Sequence, residues 1–324
     1  MLRASGFLTP AEIRTFGGRS NLIGALLVLH AWACVVGAML LFALWPNPLS
    51  FLLAVMIIGG RQLGLAILMH DAAHGLLFTR KSVNEWVGQW LCAYPVVTNL
   101  LIYRPYHLKH HRFTQQPDDP DLALSAPFPI TRASLRRKIL RDLTGRTGYS
   151  RRKAQFLDAW GPSSLSLRDH LAELRGLLGG AALVNAVLFA VLTVAGYWWF
   201  YFALWLLPLF TWYQLISRIR NIAEHAVVPD DDDPLRNTRT TLVGPLARLL
   251  LAPYWVNYHL EHHLVPFAPC WRLKSVHRFL LARGYGAQME LRRNYGDVLR
   301  LAASALVDPD PANVPARPGA AQHI

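Results

Sequence analysis

The 324-residue chain is short of charge and of cysteine. Only 16% of its residues are Asp, Glu, Lys or Arg, where soluble chains carry nearer a quarter, while 53% are apolar. That balance points to a membrane protein. The three cysteines, Cys34, Cys92 and Cys270, lie far apart without CxxC spacing, so neither a thiolate metal site nor a disulfide framework is suggested. Acidic residues are the scarcer charge, and 33 Lys and Arg against 20 Asp and Glu leave a net charge of +13. In a membrane protein such an excess is first a topology device that keeps loops on the cytoplasmic side, and nucleic-acid binding is the wrong reading of it. The N-terminus, MLRASGFLTPAEIRTF, lacks the apolar core and cleavage site of a signal peptide and is expected to stay in the cytoplasm.

What the chain does have is histidine in clusters. NYHLEHHLVP places His259, His262 and His263 within five positions, HLKHH repeats the spacing at His107, His110 and His111, HDAAH carries His70 and His74, and NIAEH puts His225 four residues after Asn221. Nine of the thirteen histidines fall in these clusters. On a helix, residues three and four apart are neighbours, whereas an adjacent pair diverges by about 100°. An HxxHH element can therefore hold part of one metal shell or feed two ions. Nine imidazoles exceed what one tetrahedral or octahedral ion accepts, so two ions are implied, and the donor set admits zinc as readily as iron.

Four uncharged or nearly uncharged runs, about 21–45, 50–69, 177–195 and 198–216, are long enough to cross a hydrocarbon core of roughly 30 Å as helices. Pro46-Asn47-Pro48 and Ala195-Gly196-Tyr197 are the expected exterior turns, free of Lys and Arg and flanked by Trp45, Trp198 and Trp199. The Gly59-Gly60-Arg61-Gln62 stretch interrupts the second span, with Arg61 either a packing device or a contact for a polar substrate group, and Pro208 is expected to kink the fourth. The apolar segment Trp86–Tyr103 is the decisive ambiguity. Were it to cross, HDAAH and HLKHH would sit on opposite faces, too far apart to share ligand bonds of about 2 Å, so it is read as re-entrant. The fold expected is all-α and integral to the membrane, a single domain of four transmembrane helices with interfacial helices. A cytoplasmic cap (about 70–176 and 217–310) carries a histidine-rich di-metal site, and residues 311–324 are expected to be disordered. His30 is expected as a hydrogen-bonded interior residue and His170 as a surface one. The acidic run Asp118, Asp119 and Asp121 either orients ligand imidazoles or forms a solvated turn.

Ligands capping helix ends, rather than lining a path at the midplane, suit an enzyme acting on a buried lipid better than a transporter. HDAAHG, HLKHH followed by DDPDL, and HLEHH with a downstream Pro and His resemble the three histidine boxes of the membrane fatty acid desaturase and hydroxylase superfamily, over most of the chain. The resemblance implies that His70, His74, His107, His110, His111, His225, His259, His262 and His263 bind a di-iron centre. Asn221 would be a water-mediated ligand or else a polar residue at the helix end. The family's reaction uses dioxygen as co-substrate and electrons from an external donor such as ferredoxin or cytochrome b5, and it desaturates or hydroxylates the chain of a membrane lipid or fatty acyl substrate. The chain departs from front-end desaturases in having no fused cytochrome b5 element and histidine rather than glutamine at His259. It departs from acyl-CoA desaturases in having three residues, not four, inside the first box. The alternatives are a carotenoid ketolase or hydroxylase of the same superfamily and a non-catalytic metal-binding membrane protein. Arg61, Asp71 and Glu261 are candidate contacts to ligands or substrate, the basic surface either docks an acidic carrier or serves topology alone, and a bacterial inner membrane is the expected location. Oligomeric state is not legible.

Overall fold

The computed structural model describes residues 8–310, so the expected disorder of 311–324 lies outside the described residues. The chain divides into two compact units. One, of residues 21–104 and 139–216, holds the greater part of four helices long and apolar enough to cross a membrane: the apolar run within Pro10–Leu44, then Pro48–Ala73, Leu167–Val194 and Trp198–His225. The other comprises the described residues up to 20 together with 105–138 and 217–310.

In the first unit the turn between the first two spans is built by Asn47. Its Oδ1 accepts from the backbone N–H groups of Leu49 and Ser50, both at 3.0 Å, with Pro48 at the first helical position, where its missing N–H costs nothing. The first span, Asn21–Leu44, and the second, Pro48–Ala73, then lie side by side in opposite directions. Phe42 meets Phe51 at one end, and Gly24 meets Leu77 at the other, where a Cβ would come within 2.1 Å of the Leu77 carbonyl oxygen. Phe42 also touches Trp199 and Phe200, so the second turn, at 195–197, sits at the same end as the first.

The second span is continuous through Gly59-Gly60 rather than interrupted there. The glycine serves packing: a Cβ on Gly59 would come within 2.9 Å of the Trp212 ring. The third span starts at Leu167, well before the uncharged run, because Ser166 caps a charged first turn by accepting from the Asp169 N–H at 3.3 Å. In the fourth span a wide π-type turn occupies Tyr201–Leu206 just ahead of Pro208, since proline removes a donor and pushes back the preceding turn. Gln62 donates to the Trp205 carbonyl there, at 2.7 Å.

The segment 86–103 does not cross. Asn84 Nδ2 donates to the Ala72 carbonyl at 2.9 Å, and beyond the segment Arg104 donates to Ala73 O at 2.9 Å and Ala72 O at 3.2 Å, while pairing with Glu85 at 2.9 Å. Both ends thus return to the close of the second span. Between them the chain turns through Val97 in a left-handed conformation, φ 57°. Backbone groups at this depth must find protein partners, and they do. Trp32 Nε1 donates to Leu91 O (3.1 Å), Asn185 Nδ2 to Tyr94 O (3.1 Å), and Gln155 Nε2 to Val97 O (3.1 Å). Asn185 Oδ1 in turn accepts from Tyr201 OH and Trp205 Nε1, each at 3.2 Å.

Two isolated histidines are placed differently from expectation. His30 is exposed on the first span, with Nε2 3.6 Å from Cys34 Sγ. His170 is buried, stacked on Trp160 at 4.4 Å with Nδ1 against the Trp160 carbonyl. The helix end at Trp160 supplies an unpaired carbonyl and a flat ring, and imidazole satisfies both.

Candidate metal centre

The second histidine box lies on the helix Leu100–Phe113 and the third on the short helix His259–Leu264. Helical spacing divides each box between two groups. His107 and His111, four apart, face one way and His110, 100° from His111, faces another. In the third box His259 and His263 share a face that His262 does not. The structure accordingly collects His110, His225, His259 and His263 into one group, whose candidate ligand nitrogens all lie within 4.8 Å of one another. His107, His111 and His262 come together in a second.

The four-histidine group is complete within one unit. His259 Nε2 is 2.8 Å from His225 Nε2 and 3.0 Å from His263 Nε2. A single ring nitrogen carries one proton or one lone pair, so three such atoms converging are poorly matched as hydrogen bonds. Two nitrogens bound at right angles to one ion, with bonds of about 2.1 Å, would lie about 3.0 Å apart. The same spacing holds in the three-histidine group, where His111 Nε2 is 2.9 Å from both His107 Nε2 and His262 Nε2. The donors are all imidazole, which suits iron, zinc or copper and excludes a thiolate cluster.

Partners behind the rings turn the Nε2 lone pairs towards these centres. His110 Nδ1 donates to Asp119 Oδ1 at 2.8 Å, with Asp121 3.8 Å away and held by the Tyr106 hydroxyl. Thr114 donates its own proton to the His110 carbonyl at 2.8 Å, so its oxygen accepts from His263 Nδ1 at 3.1 Å. His259 Nδ1 lies 3.7 Å from a carboxylate oxygen of Glu224, which is buried. Such partners fix the tautomer and strengthen the ring as a ligand. Burial, with the nearby histidines and Arg220, holds His259 well below the ordinary imidazole pKa, and burial with the surrounding histidines does the same for His263. His110 moves the other way: burial opposes it, but the Asp119 hydrogen bond and the charges of Asp121, Asp119 and Glu224 raise its pKa.

His70 and His74 belong to the other unit, at the close of the second span, with ring centroids 5.1 Å apart. Asp71 is buried beside them, 3.7 Å from His70 Nδ1. Burial, then His70 and Arg104, lowers the His74 pKa well below its ordinary value. Arg61 is buried in the middle of the same helix. Asn221 is half-buried one turn before His225 on the same helix.

Of the acidic run, Asp119 and Asp121 stand behind His110, whereas Asp118 is exposed in the turn. Glu261 is wholly buried and accepts from His277 Nδ1 at 2.6 Å and from the Thr240 hydroxyl. Sequence reasoning passed over Glu224, Thr114, His277 and Thr240. A signal existed for two of them: Glu224 precedes His225 in NIAEH, and Thr114 follows His110 at helical spacing.

A protein-family model described as "Fatty acid desaturase" matches residues 45–293, taking in all the histidine boxes. Among curated proteins the chain is similar to a dihydrorhizobitoxine desaturase of Bradyrhizobium elkanii, 26% identical over 278 residues, or 80% of this chain and 75% of that protein. It is also similar to a beta-carotene ketolase of Paracoccus sp. (strain PC1), 26% identical over 256 residues, covering 76% and 85% respectively. A zeaxanthin 4-ketolase of Chlamydomonas reinhardtii is 26% identical over 68% of this chain and 42% of its own length. With the family match spanning every box, and with the boxes folded into two imidazole groups at ligand spacing, this chain belongs to the fatty acid desaturase family.

Proposed function

We propose that the protein is an oxygen-dependent membrane desaturase that introduces a double bond into the acyl chain of a membrane lipid or fatty acyl substrate. The convergence of His110, His225, His259 and His263 on one centre carries the reading. These four would hold one iron. His107, His111 and His262 would supply three ligands to a second, and the family pattern would add His70, His74 and, through water, Asn221 to the ligand set. Loaded with two irons, such a centre supplies oxygen-dependent removal of hydrogen from an unactivated CH2.

The residues' share of the work is to keep this chemistry ordered. Asp119 and Thr114 hold the His110 and His263 rings so that Nε2, not Nδ1, would face the ion. Forming one double bond takes up one dioxygen, two electrons and two protons beyond the two hydrogens of the substrate, and releases two waters. An external donor such as a ferredoxin or cytochrome b5 is therefore required, and the basic face is a fitting dock for an acidic carrier. The positive-inside pattern supports histidine boxes and termini on the cytoplasmic side, and the Ala-, Leu- and Arg-rich composition favours a bacterial inner membrane.

The likeness to two ketolases favours a second reading, oxygenation of a carotenoid. Lipid and pigment analysis of a host producing the protein, with His262→Ala as control, decides between them. New acyl double bonds lost in the variant support the first reading, and oxygenated carotenoids support the second. Neither product, from a protein that binds metal, would leave a non-catalytic metal protein.

A further inference from the structure

The third-box helix has six residues, fewer than two turns, and a helix that short does not hold its attitude alone. A rotation of about 10° at a ring nitrogen some 6 Å from the axis displaces it by about 1 Å, several times the tolerance of a metal–ligand bond. Its orientation must come from outside. Glu261, on this helix between His259 and His262, is wholly buried and anchored at both oxygens, by His277 Nδ1 at 2.6 Å and by the Thr240 hydroxyl.

The residue before Thr240 grips the other ligand-bearing segment. Arg239, also wholly buried, donates to the carbonyls of Ala223 (3.3 Å), Ala226 (2.9 Å) and Val227 (2.7 Å). These lie where the helix carrying Asn221 and His225 ends and its carbonyls lack partners. Its backbone N–H donates to Glu224 O at 2.9 Å, and its Nε pairs with Glu290 at 2.9 Å. The dipeptide is itself held in register. Thr240 N–H donates to Glu290 O at 3.1 Å, Thr240–Thr241 pairs in parallel with Leu291–Arg292, and Thr241 N–H donates to Asn257 O at 3.1 Å.

We propose that Arg239 and Thr240 are positioning residues for the four-histidine group, fixing the end of the fourth span and the third-box helix at the separation one ion requires. Neither touches the ligand nitrogens; Arg239 acts through helix-end carbonyls and Thr240 through Glu261. The inference rests on the metal reading of that group.

The test uses the full chain in detergent, with iron per chain measured across a range of buffered free iron and cobalt(II) ligand-field spectra as the geometric readout. Thr240→Val removes the hydroxyl at nearly constant volume, and Thr240→Ser keeps it. The expected result for Thr240→Val is about 10- to 100-fold weaker binding at the four-histidine group, a changed cobalt spectrum, and a smaller loss at the second group, which takes only His262 from the same helix. Thr240→Ser restores both readouts. Arg239→Lys keeps charge opposite Glu290 but cannot span three carbonyls, and its defect should be of the same kind. Two ions held at wild-type affinity in both Thr240→Val and Arg239→Lys would overturn the proposal, as would a Thr240→Ser protein as defective as Thr240→Val. If Thr240→Val does not fold, Arg239→Lys decides by the same criteria. A wild-type protein that takes up no metal would instead overturn the metal reading beneath.

Discussion

The two histidine groups differ in where their members come from. His110, His225, His259 and His263 lie in a single compact unit, although they belong to three stretches of sequence. His107, His111 and His262 lie in that unit too, whereas His70 and His74 end a membrane helix of the other unit. The four-histidine group is therefore a polar core closed within one unit, with carboxylates and hydroxyls behind its rings, and the other group counts three imidazoles there. Both arise from the same HxxHH spacing, because adjacent histidines diverge by about 100° and each box is shared between groups.

The largest expected effects come from removing a ligand on either side of that division. His259→Ala should abolish product formation, a loss of more than about 100-fold, and lower the iron content by one ion while the three-histidine group stays filled. His74→Ala should abolish activity equally but take the other ion, leaving the cobalt spectrum of the four-histidine group intact. Loss of both ions from either variant would break the comparison. Chelation sharpens it further. Removal of iron should be biphasic, the slower phase persisting in His74→Ala and absent from His259→Ala, as followed by iron released against time.

Much of this was legible in the sequence. The four spans, the tight turns between them and the return of 86–103 followed from charge, length and the requirement that HDAAH and HLKHH share a face. The nine clustered imidazoles stood out because histidine is dense nowhere else. What could not be read was the far side of each ring. Asp119 was one of three equivalent carboxylates until the turn placed its oxygen on His110, and His170 turned out buried because Trp160 offers both a carbonyl and a ring face. Thr240 and His277 meet Glu261 only through tertiary folding, across 21 and 16 residues. The glycines at 59 and 60 illustrate the converse, since a break and a close packing contact share one sequence signature.

Behind the ligands the effects should be smaller and confined to one group. Asp119→Asn keeps the shape of the side chain but not the charge that makes His110 a stronger base. The expected outcome is iron affinity lower by about 10- to 100-fold at the four-histidine group and unchanged at the other, read from iron content at graded free iron. Equal weakening of both ions would show that the groups are not independent.

The smallest effect is the response of the metal-free protein to acid. His259 and His263 have folded-state pKa values below the ordinary imidazole value, so as pH falls through about 6.5 the unfolded chain binds protons that the folded chain does not, and stability drops. His110, its pKa raised, works in the opposite sense: it contributes stability below the unfolded value, lost as pH rises through its folded value. With His74, His259 and His263 lowered against His110 raised, these rings' contribution to the stability of the metal-free protein should decline between about pH 7.5 and pH 5.5, read as a falling melting temperature. Asp119→Asn removes one of the charges that raise His110 and should steepen that decline. A flat profile, or one that Asp119→Asn leaves unaltered, would mean that these rings do not titrate as a buried cluster, and the reading of the four-histidine group as a finished polar core would lose its electrostatic basis.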